Sequence, residues 1–221
     1  IPWGSDIELF GRKIALQIAD INIGILYVFA VVSMGVYGIM IGGWASNNKF
    51  SLMSSLRAAS QAISYELAMG LALIALLMTT ESLSLKTIVE QQVQGSWWNI
   101  VYQPLGFLLF FIAALAECNR TPFDLPEAEN ELNFGYHQEY SSMKLGFYLF
   151  AEYINMIMSS AIMASMYFGG YDLPFFDEST VAPNIAAMIG VGTLLIKIVL
   201  FIFLFMWIRW TIPRFRYDQL M

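Results

Sequence analysis

Five long apolar stretches constrain this chain more than any other feature of its sequence. They lie at about 21–44, 62–83, 100–117, 143–168 and 186–208. A helix needs about 20 mainly apolar residues to cross a bilayer, and only helices and closed barrels satisfy their backbone hydrogen bonds in lipid. The stretches are continuous and do not alternate every second residue, which favours helices over barrel strands. The sequence therefore predicts an all-α integral membrane protein with five transmembrane helices in one membrane domain, 1–221.

Composition narrows the classes of function. The 221 residues are 58% hydrophobic and 13% charged, whereas soluble domains carry about 25% charged residues. A formal net charge of −6 argues against nucleic-acid binding, which needs a basic surface. One cysteine, Cys118, excludes an intrachain disulfide and a four-cysteine iron–sulfur site, and one histidine, His137, excludes a histidine-based zinc or haem site. We therefore expect no metal site, and chemistry that uses carboxylates or cofactors held by other chains.

Lysines and arginines are distributed unequally between the two sides that five spans create. Residues 1–19 and the connections near 84–99 and 169–185 share one side and carry three of these cations. The connection near 45–61, the segment 118–142 and the C-terminal region share the other side, which carries seven. By the positive-inside rule the second side is cytoplasmic, or faces the matrix if the membrane is mitochondrial. The acidic segment 118–142 is therefore expected on the side where NADH is found.

Three charged side chains lie inside the predicted spans. Glu66 is in the second span, Glu152 in the fourth and Lys197 near the middle of the fifth. Each costs at least about 2.5 kcal/mol at a helix centre unless it is paired or solvated. A structural ion pair or snorkelling to the interface is one interpretation, and for Lys197 it stands level with a functional role. For the two glutamates we favour a proton or ion path, because chains of carboxylates form proton relays in membrane proteins.

Polar residues are aligned with Glu152 along the fourth span. Tyr148, Glu152, Asn155 and Ser159 follow one another at steps of four, three and four, which places them on one helix face. Such a polar stripe in an apolar helix indicates a packed polar interface or a hydrated path. A similar line leads into the second span and consists of Arg57, Gln61 and Ser64.

The densest charge cluster directly follows the third span. Residues 117–139 contain six acids and one cation, which are Glu117, Asp124, Glu127, Glu129, Glu131, Glu139 and Arg120. Asp124, with Glu127 three residues later and Pro126 between them, resembles a capping box, so we expect a short helix to begin there. Glu127 and Glu131 would share one face of that helix, and Glu129 would point elsewhere.

The crowding of these acids suggests a site rather than a plain loop. Crowded carboxylates titrate together, so their proton count responds to a nearby charge or ligand. A solvated acidic loop is the simplest alternative, but the cluster starts at the end of a span and is interleaved with Phe123, Leu125 and Phe134. A calcium site is a third interpretation, which the spacing disfavours because it does not match the D-x-D-x-D-G loop.

Four long motifs resemble one family. "GWASNNKFSLMSSLRAASQAISYE", "AECNRTPFDLPEAENEL", "EYSSMKLGFYLFAEY" and "PRFRYDQLM" are similar to the H-subunit family of bacterial NADH:quinone oxidoreductase, respiratory complex I, whose mitochondrial counterpart is NADH dehydrogenase subunit 1. The similarity covers nearly all of the chain. It implies an eight-helix membrane subunit of which this chain contains helices three to seven, so we expect sequence to be missing at both ends.

The resemblance also implies roles for individual residues. Glu66, Glu117 and Glu152 match the family's buried proton path. The loop that borders the quinone chamber and couples it to this path is matched by Arg120, Asp124, Glu127, Glu129, Glu131 and Glu139. Further candidates are Arg57, Lys197 and Arg209.

The family implies partners and a location as well. Ubiquinone or menaquinone would be the substrate, and NADH, FMN and iron–sulfur clusters would be bound by partner subunits. The neighbours would be the peripheral-arm quinone-site subunits, antiporter-like membrane subunits and lipid, in the bacterial cytoplasmic (inner) membrane or, for an organellar protein, the mitochondrial inner membrane. Two alternatives stay open: the equivalent membrane subunit of a proton-pumping nickel–iron hydrogenase or formate hydrogenlyase, and a stand-alone cation/proton antiporter.

Overall fold

A computed structural model describes residues 1–9, 12–95, 97–126, 129–173 and 182–215. Its elements, in chain order, are strands β1 (Ile7–Leu9) and β2 (Arg12–Ile14), helices α1 (Gly24–Ala45), α2 (Lys49–Thr80), α3 (Leu85–Gln94), α4 (Asn99–Tyr102), α5 (Pro104–Glu117) and α6 (Glu129–Leu132), a 3-10 turn (Gly135–His137), and helices α7 (Ser142–Tyr167) and α8 (Pro183–Thr211). The strands form a small antiparallel hairpin, with Ile7 opposite Ile14, that the sequence did not predict.

Long apolar helices dominate this architecture. Four of them, α1, α2, α7 and α8, are long and apolar enough to cross a membrane, and α5 is a shorter apolar helix. The all-α membrane class predicted from the apolar stretches is therefore confirmed. Much of α1 faces away from the rest of the protein, since only 6% of its apolar window is buried, as expected for a helix in an apolar environment.

The predicted third span, 100–117, is divided in two. Gln103 separates α4 from α5 with φ −134° and ψ 65°, and Pro104 is the first residue of α5. A proline disfavours the helical conformation of the residue before it and is well tolerated at the start of a helix. The Gln103 side chain is bound to α2, because its Nε2 donates to the carbonyl oxygen of Ala75 at 2.8 Å and to Oγ1 of Thr79 at 3.2 Å.

Helix α2 begins well before the predicted apolar span at residue 62. The side chain of Asn48 accepts a hydrogen bond from the Phe50 amide at 3.1 Å and caps the helix, so residues 46–48 alone connect α1 to α2. The predicted connection near 45–61 is thus mostly helical. The added first turns are rich in buried serines, Ser51, Ser54 and Ser55. Ser51 and Ser54 bind the acidic segment, whereas Ser55 packs against α1.

Close packing at the end of α1 brings three helices together. A Cβ on Gly42 would overlap the Tyr148 hydroxyl of α7, and a Cβ on Gly43 would overlap the side chain of Ser55 in α2. Deeper in the bilayer-spanning part, the core is apolar and aromatic, with Phe110 and Tyr167 at 1% and 0% exposure and their ring centroids 5.7 Å apart. Close contacts between α1, α2 and α7 and an aromatic core therefore fix the relative positions of these helices.

Candidate functional site

The turn that follows α5 is fixed to α2 by one buried side chain. Nε2 of Gln61 donates to the carbonyl oxygens of Ala116 and Phe123, both at 2.9 Å. The ring of Phe123 also packs against Tyr65, with centroids 5.2 Å apart. These contacts hold both ends of the 116–123 turn against one helix and set the position of Arg120 within it.

A glycine allows the 3-10 turn to pack directly on α2. Gly135 has φ +70°, and a Cβ there would overlap the Pro126 carbonyl oxygen, so no other residue fits this position without rearrangement. Ser54 donates to that same carbonyl at 2.5 Å, and Ser51 donates to the carbonyl oxygen of Tyr136 at 3.2 Å. The turn therefore places Tyr136 and His137, each 1% exposed, inside the protein.

The carboxylate of Glu152 is the centre of the polar cluster. Nη2 of Arg120 lies 2.7 Å from Oε2 of Glu152, in a pair whose side chains are 11% and 10% exposed. The Tyr136 hydroxyl donates to Oε1 at 2.9 Å, and Nε2 of His137 lies 3.9 Å from the same oxygen. The sequence pattern indicated no cation for this carboxylate, whereas the fold provides Arg120 from a different segment.

Two groups beside this carboxylate have strongly shifted ionisation. Burial, together with the Arg120 guanidinium, lowers the pKa of His137 to about 4, so the imidazole is neutral at physiological pH. Burial and the nearby Glu117 carboxylate raise the pKa of the Cys118 thiol to about 12. Its sulfur lies 3.8 Å from Oγ of Ser159. Cys118 is therefore an inert packing residue rather than a reactive thiol.

The predicted polar face of α7 contacts this cluster. Besides Glu152 and Ser159, Tyr148 packs its ring against Tyr136 and His137, with centroids 5.7 Å and 5.4 Å apart. The predicted line along α2 is less uniform: Gln61 is buried, but Ser64 is exposed and donates back to the Ser60 carbonyl oxygen. Helical spacing of polar residues was thus a better indicator of a buried polar face on α7 than on α2.

Glu117 and Glu66 lie further into the helical region. Glu117 is the last residue of α5 and is half-buried. Glu66 is half-buried in α2, where the Ser33 hydroxyl from α1 donates to its Oε1. The two carboxylates interact electrostatically, and Glu117 in turn acts on Cys118, which also senses Arg120 and Glu152. Glu117 therefore interacts directly with Glu66, whereas Glu117 and Glu152 are both near Cys118.

The remaining acids of the segment lie nearer the surface. Oε2 of Glu131 pairs with Nη1 of Arg57 at 2.9 Å, and Oε1 of Glu139 accepts from Nδ2 of Asn48 at 2.8 Å. Asp124 is half-buried. Glu127 lies outside the described residues, as does the side chain of Glu129.

The short helix expected from Asp124 onward begins later. Its first residue is Glu129, and it ends at Leu132. The capping-box interpretation was wrong about this start because Leu125 and Pro126 are buried and the Pro126 carbonyl accepts a bond from Ser54. Attachment to α2 therefore overrides the local capping signal, and the predicted shared face of Glu127 and Glu131 falls outside the described part.

Lys197 is held by backbone carbonyls at the far end of α7. Its Nζ donates to the carbonyl oxygens of Phe168, Gly170 and Asp172 at 2.7, 2.9 and 2.5 Å. It also lies 4.5 Å from the centroid of the Trp98 ring. These contacts give Lys197 a structural role in closing the end of α7, and they separate it from the Glu152 cluster at the other side of the protein.

Arg209, in contrast, lies close to the cluster. It lines a narrow cavity together with Cys118, Arg120, Tyr153 and Met156. Of the predicted residues, the fold thus brings Arg120, Glu152 and Arg209 together and places Lys197 apart. Across the described residues, no group of three His, Cys, Asp or Glu side chains could hold a metal ion.

The sequence interpretation missed Tyr136 and His137. A signal was present, since the one histidine of the chain directly follows Gly135–Tyr136 within the acidic segment. A glycine in such a position indicates a tight backbone approach, and a tight approach next to an aromatic and an ionisable residue would have suggested a buried polar turn.

Comparison with known proteins settles the family. The family model described as NADH dehydrogenase matches residues 1–221. The chain belongs to the NADH dehydrogenase family. This confirms the family expected from the four sequence motifs.

Three relatives, all H subunits of NADH-quinone oxidoreductase, illustrate the similarity. The chain is 67% identical over 221 residues to the first such protein of Cytophaga hutchinsonii, 62% over 223 residues to that of Flavobacterium johnsoniae, and 49% over 229 residues to that of Thermomicrobium roseum. Each match includes 100% of this chain but 64%, 63% and 64% of the respective relative. The chain thus spans less than two thirds of the length of these curated members of the NADH dehydrogenase family.

Proposed function

We propose that this chain is part of the membrane subunit of a proton-pumping NADH:quinone oxidoreductase, in which it helps to form the quinone chamber and the carboxylate path that couples quinone reduction to proton translocation. Membership of the NADH dehydrogenase family supports this proposal, as do the names of the relatives. Those names favour it over the hydrogenase and antiporter alternatives that the sequence left open. We further propose that the chain forms one membrane domain that corresponds to helices three to seven of an eight-helix subunit.

The assembly around the chain follows from this proposal. Ubiquinone or menaquinone is the substrate, and NADH, FMN and iron–sulfur clusters are bound by the partner subunits. The partners are the peripheral-arm quinone-site subunits and the antiporter-like membrane subunits, within the lipid of a bacterial inner membrane. The acidic segment 118–142 then lies on the cytoplasmic side, where the quinone is reduced.

The observation that carries the proposal is the buried pair of Arg120 and Glu152. Electrons that reach a quinone add negative charge until protons neutralise it, so reduction changes the charge beside any residue that borders the quinone or supplies those protons. Arg120 lines an apolar cavity and holds the Glu152 carboxylate at 2.7 Å. A charge change in that cavity alters the interaction between the two groups, because buried charges are weakly screened.

Glu152 transfers this change inward. Its carboxylate and that of Glu117 both act on Cys118, and Glu117 interacts with Glu66. Interacting carboxylates titrate as a unit, so a change in the proton occupancy of one alters that of the next. Glu152, Glu117 and Glu66 in this order form the path, and the Arg57–Glu131 pair anchors the outer part of the acidic segment to α2.

The substitution Glu152→Gln in the whole complex tests this function. Inner-membrane vesicles are compared for NADH oxidation with a soluble artificial acceptor, NADH oxidation with a short-chain quinone, and formation of a pH gradient. We expect the artificial-acceptor rate to be retained, and the quinone rate and the gradient to fall at least about tenfold, in the range typical for loss of a proton-transfer group.

A matched control is Glu90→Gln. Glu90 is 45% exposed and forms a surface pair with Lys86 at 3.7 Å, so its substitution should leave all three measurements unchanged. Normal quinone reduction together with a normal gradient in the Glu152→Gln complex would refute the proposed path.

A further inference from the structure

We propose that Glu152 has two alternative cationic partners, Arg120 and His137, and that His137 takes up a proton from water when the guanidinium of Arg120 withdraws. A new N–H bond forms on the imidazole, and the proton returns to water when Arg120 comes back. The cluster thereby exchanges a permanent cation for a proton without a change in its net charge. This inference rests on the proposed function and names a proton-accepting residue that deepens it.

The geometry places the two partners on different oxygens of one carboxylate. Nη2 of Arg120 lies 2.7 Å from Oε2 of Glu152, whereas Nε2 of His137 lies 3.9 Å from Oε1. The imidazole needs to move by only about 1 Å to reach the usual length of a charge-assisted hydrogen bond. The Tyr136 hydroxyl already donates to Oε1 and is positioned to keep this carboxylate in place during the exchange.

The charged and titratable groups around His137 come from three segments. Arg120 acts on it from the turn after α5, and Glu152 and Tyr148 face it from α7. Tyr136 stacks on it within the 3-10 turn, with ring centroids 3.9 Å apart. From α2, the turn is contacted by the uncharged Ser51 and Ser54 hydroxyls.

Arg120 controls the protonation state of this imidazole. While Arg120 lies in the cluster, burial and, as the second cause, its positive charge hold the pKa of His137 at about 4. Its withdrawal removes the repulsion and leaves the Glu152 carboxylate within about 4 Å of the ring, and an opposite charge at this distance favours the protonated form. The same movement therefore raises the pKa of His137, and the exchange requires the attraction of Glu152 to outweigh the effect of burial.

The cavity beside Arg120 has a volume of only about 10 Å³, so withdrawal of the guanidinium requires this cavity to widen. Cζ of Arg120 lies 5.1 Å above the Tyr153 ring, and its side chain lines the cavity that Met156 and Arg209 also border. A ligand oxygen that enters this cavity would accept hydrogen bonds from Arg120 in place of Glu152. Occupation of the cavity and protonation of His137 are then two parts of one event.

The test uses the whole purified complex with Arg120→Met, His137→Gln and the double substitution. The midpoint of thermal dissociation of this subunit is measured from pH 5.5 to pH 8.5, with NADH:quinone activity measured in parallel. In Arg120→Met the folded pKa of His137 is raised above its unfolded value of about 6.5. Its stabilising effect is then complete below that value and disappears as the pH rises through the folded pKa.

We therefore expect the midpoint of Arg120→Met to rise by several degrees as the pH falls below about 7, and expect no such rise in the double variant. The same pH dependence in both variants would overturn the inference. If Arg120→Met does not assemble, His137→Gln alone decides: the wild-type complex should lose stability below about pH 6.5 because a buried neutral histidine must become charged, and His137→Gln should not.

Equal acid sensitivity of the wild-type and His137→Gln complexes would likewise refute the inference. These readouts do not depend on quinone turnover. A failure of the proposed carboxylate path, seen as normal pumping by Glu152→Gln, is therefore distinguishable from a failure of the cation exchange.

Discussion

Gln61 offers the sharpest test of how the site is held in place. This residue is 4% exposed, and its Nε2 fixes the Ala116 and Phe123 carbonyl oxygens to α2 at 2.9 Å each. Gln61→Leu keeps the approximate volume of the side chain and removes both donors. The turn that carries Arg120 should then open more often, without any change in the charged residues themselves.

The expected loss of stability depends on which hydrogen bonds the Ala116 and Phe123 carbonyls keep in Gln61→Leu. Ala116 still accepts from the Asn119 amide at 3.2 Å, so it loses one of two bonds, whereas Phe123 loses the Gln61 donor. An unmade buried hydrogen bond costs about 1–3 kcal/mol. Part of this cost is offset because Oε1 of Gln61 is buried without a partner among the described residues. The substitution removes this unsatisfied oxygen. A net destabilisation of about 2 kcal/mol corresponds to roughly a 30-fold change in an equilibrium constant.

Amide hydrogen exchange in the whole complex measures this opening. Peptides that cover residues 116–126 should exchange about 30-fold faster in Gln61→Leu when exchange reports local unfolding. Ser64→Ala is the matched control on the same helix, since Ser64 is exposed and donates only to Ser60 among the described residues. Unchanged exchange in this turn, with Gln61→Leu fully assembled, would show that the buried donor does not hold the site.

Three further outcomes are expected from the packing. Gly42→Ala should impair assembly of the complex, judged by native gel electrophoresis, because its methyl group would overlap the Tyr148 hydroxyl, whereas Gly38→Ala should assemble normally since nothing lies within 4 Å of its Cβ position. Cys118 should resist maleimide at pH 8 in the native complex, because its thiol is 3% exposed and its pKa is about 12; rapid labelling would contradict this burial. Lys197→Met should lower the thermal midpoint by several degrees, because three backbone carbonyls lose their hydrogen-bond donor. The ratio of pumping to quinone turnover should stay unchanged.

Hydropathy was sufficient to predict an all-α membrane protein, because unpaired backbone groups are costly in lipid and few structures other than helices pair them all. It could not predict where α5 begins. That boundary depends on Pro104 and on Gln103, whose side chain binds α2 at Ala75 and Thr79. Local signals also placed the start of the helix after Asp124 too early, since Leu125 and Pro126 are not helical and the Pro126 carbonyl binds Ser54 of α2.

The sequence predicted Arg120 and Glu152 as members of the candidate site, but it predicted neither their pairing nor the part of Tyr136 and His137. Spacing correctly placed Tyr148, Glu152 and Ser159 on one face of α7. The ion pair of Glu152 with Arg120 joins residues 32 positions apart in the sequence, and no periodic pattern links them. The burial of His137 beside Glu152 depends on a turn that only a glycine with positive φ permits, and Gly135 is its signal in the sequence.

The shortness of α5 has an electrical consequence. Its 14 residues extend about 21 Å, whereas the hydrocarbon layer is about 30 Å thick. A short apolar helix is accommodated by local thinning of the bilayer or by polar groups that reach below its surface. If the bilayer thins there, we expect the transmembrane voltage beside α5 to drop over a shorter distance than beside α8, with 29 residues. A charge that moves near Glu117 crosses a larger share of the voltage per ångström, so movement there responds steeply to the energised state of the membrane.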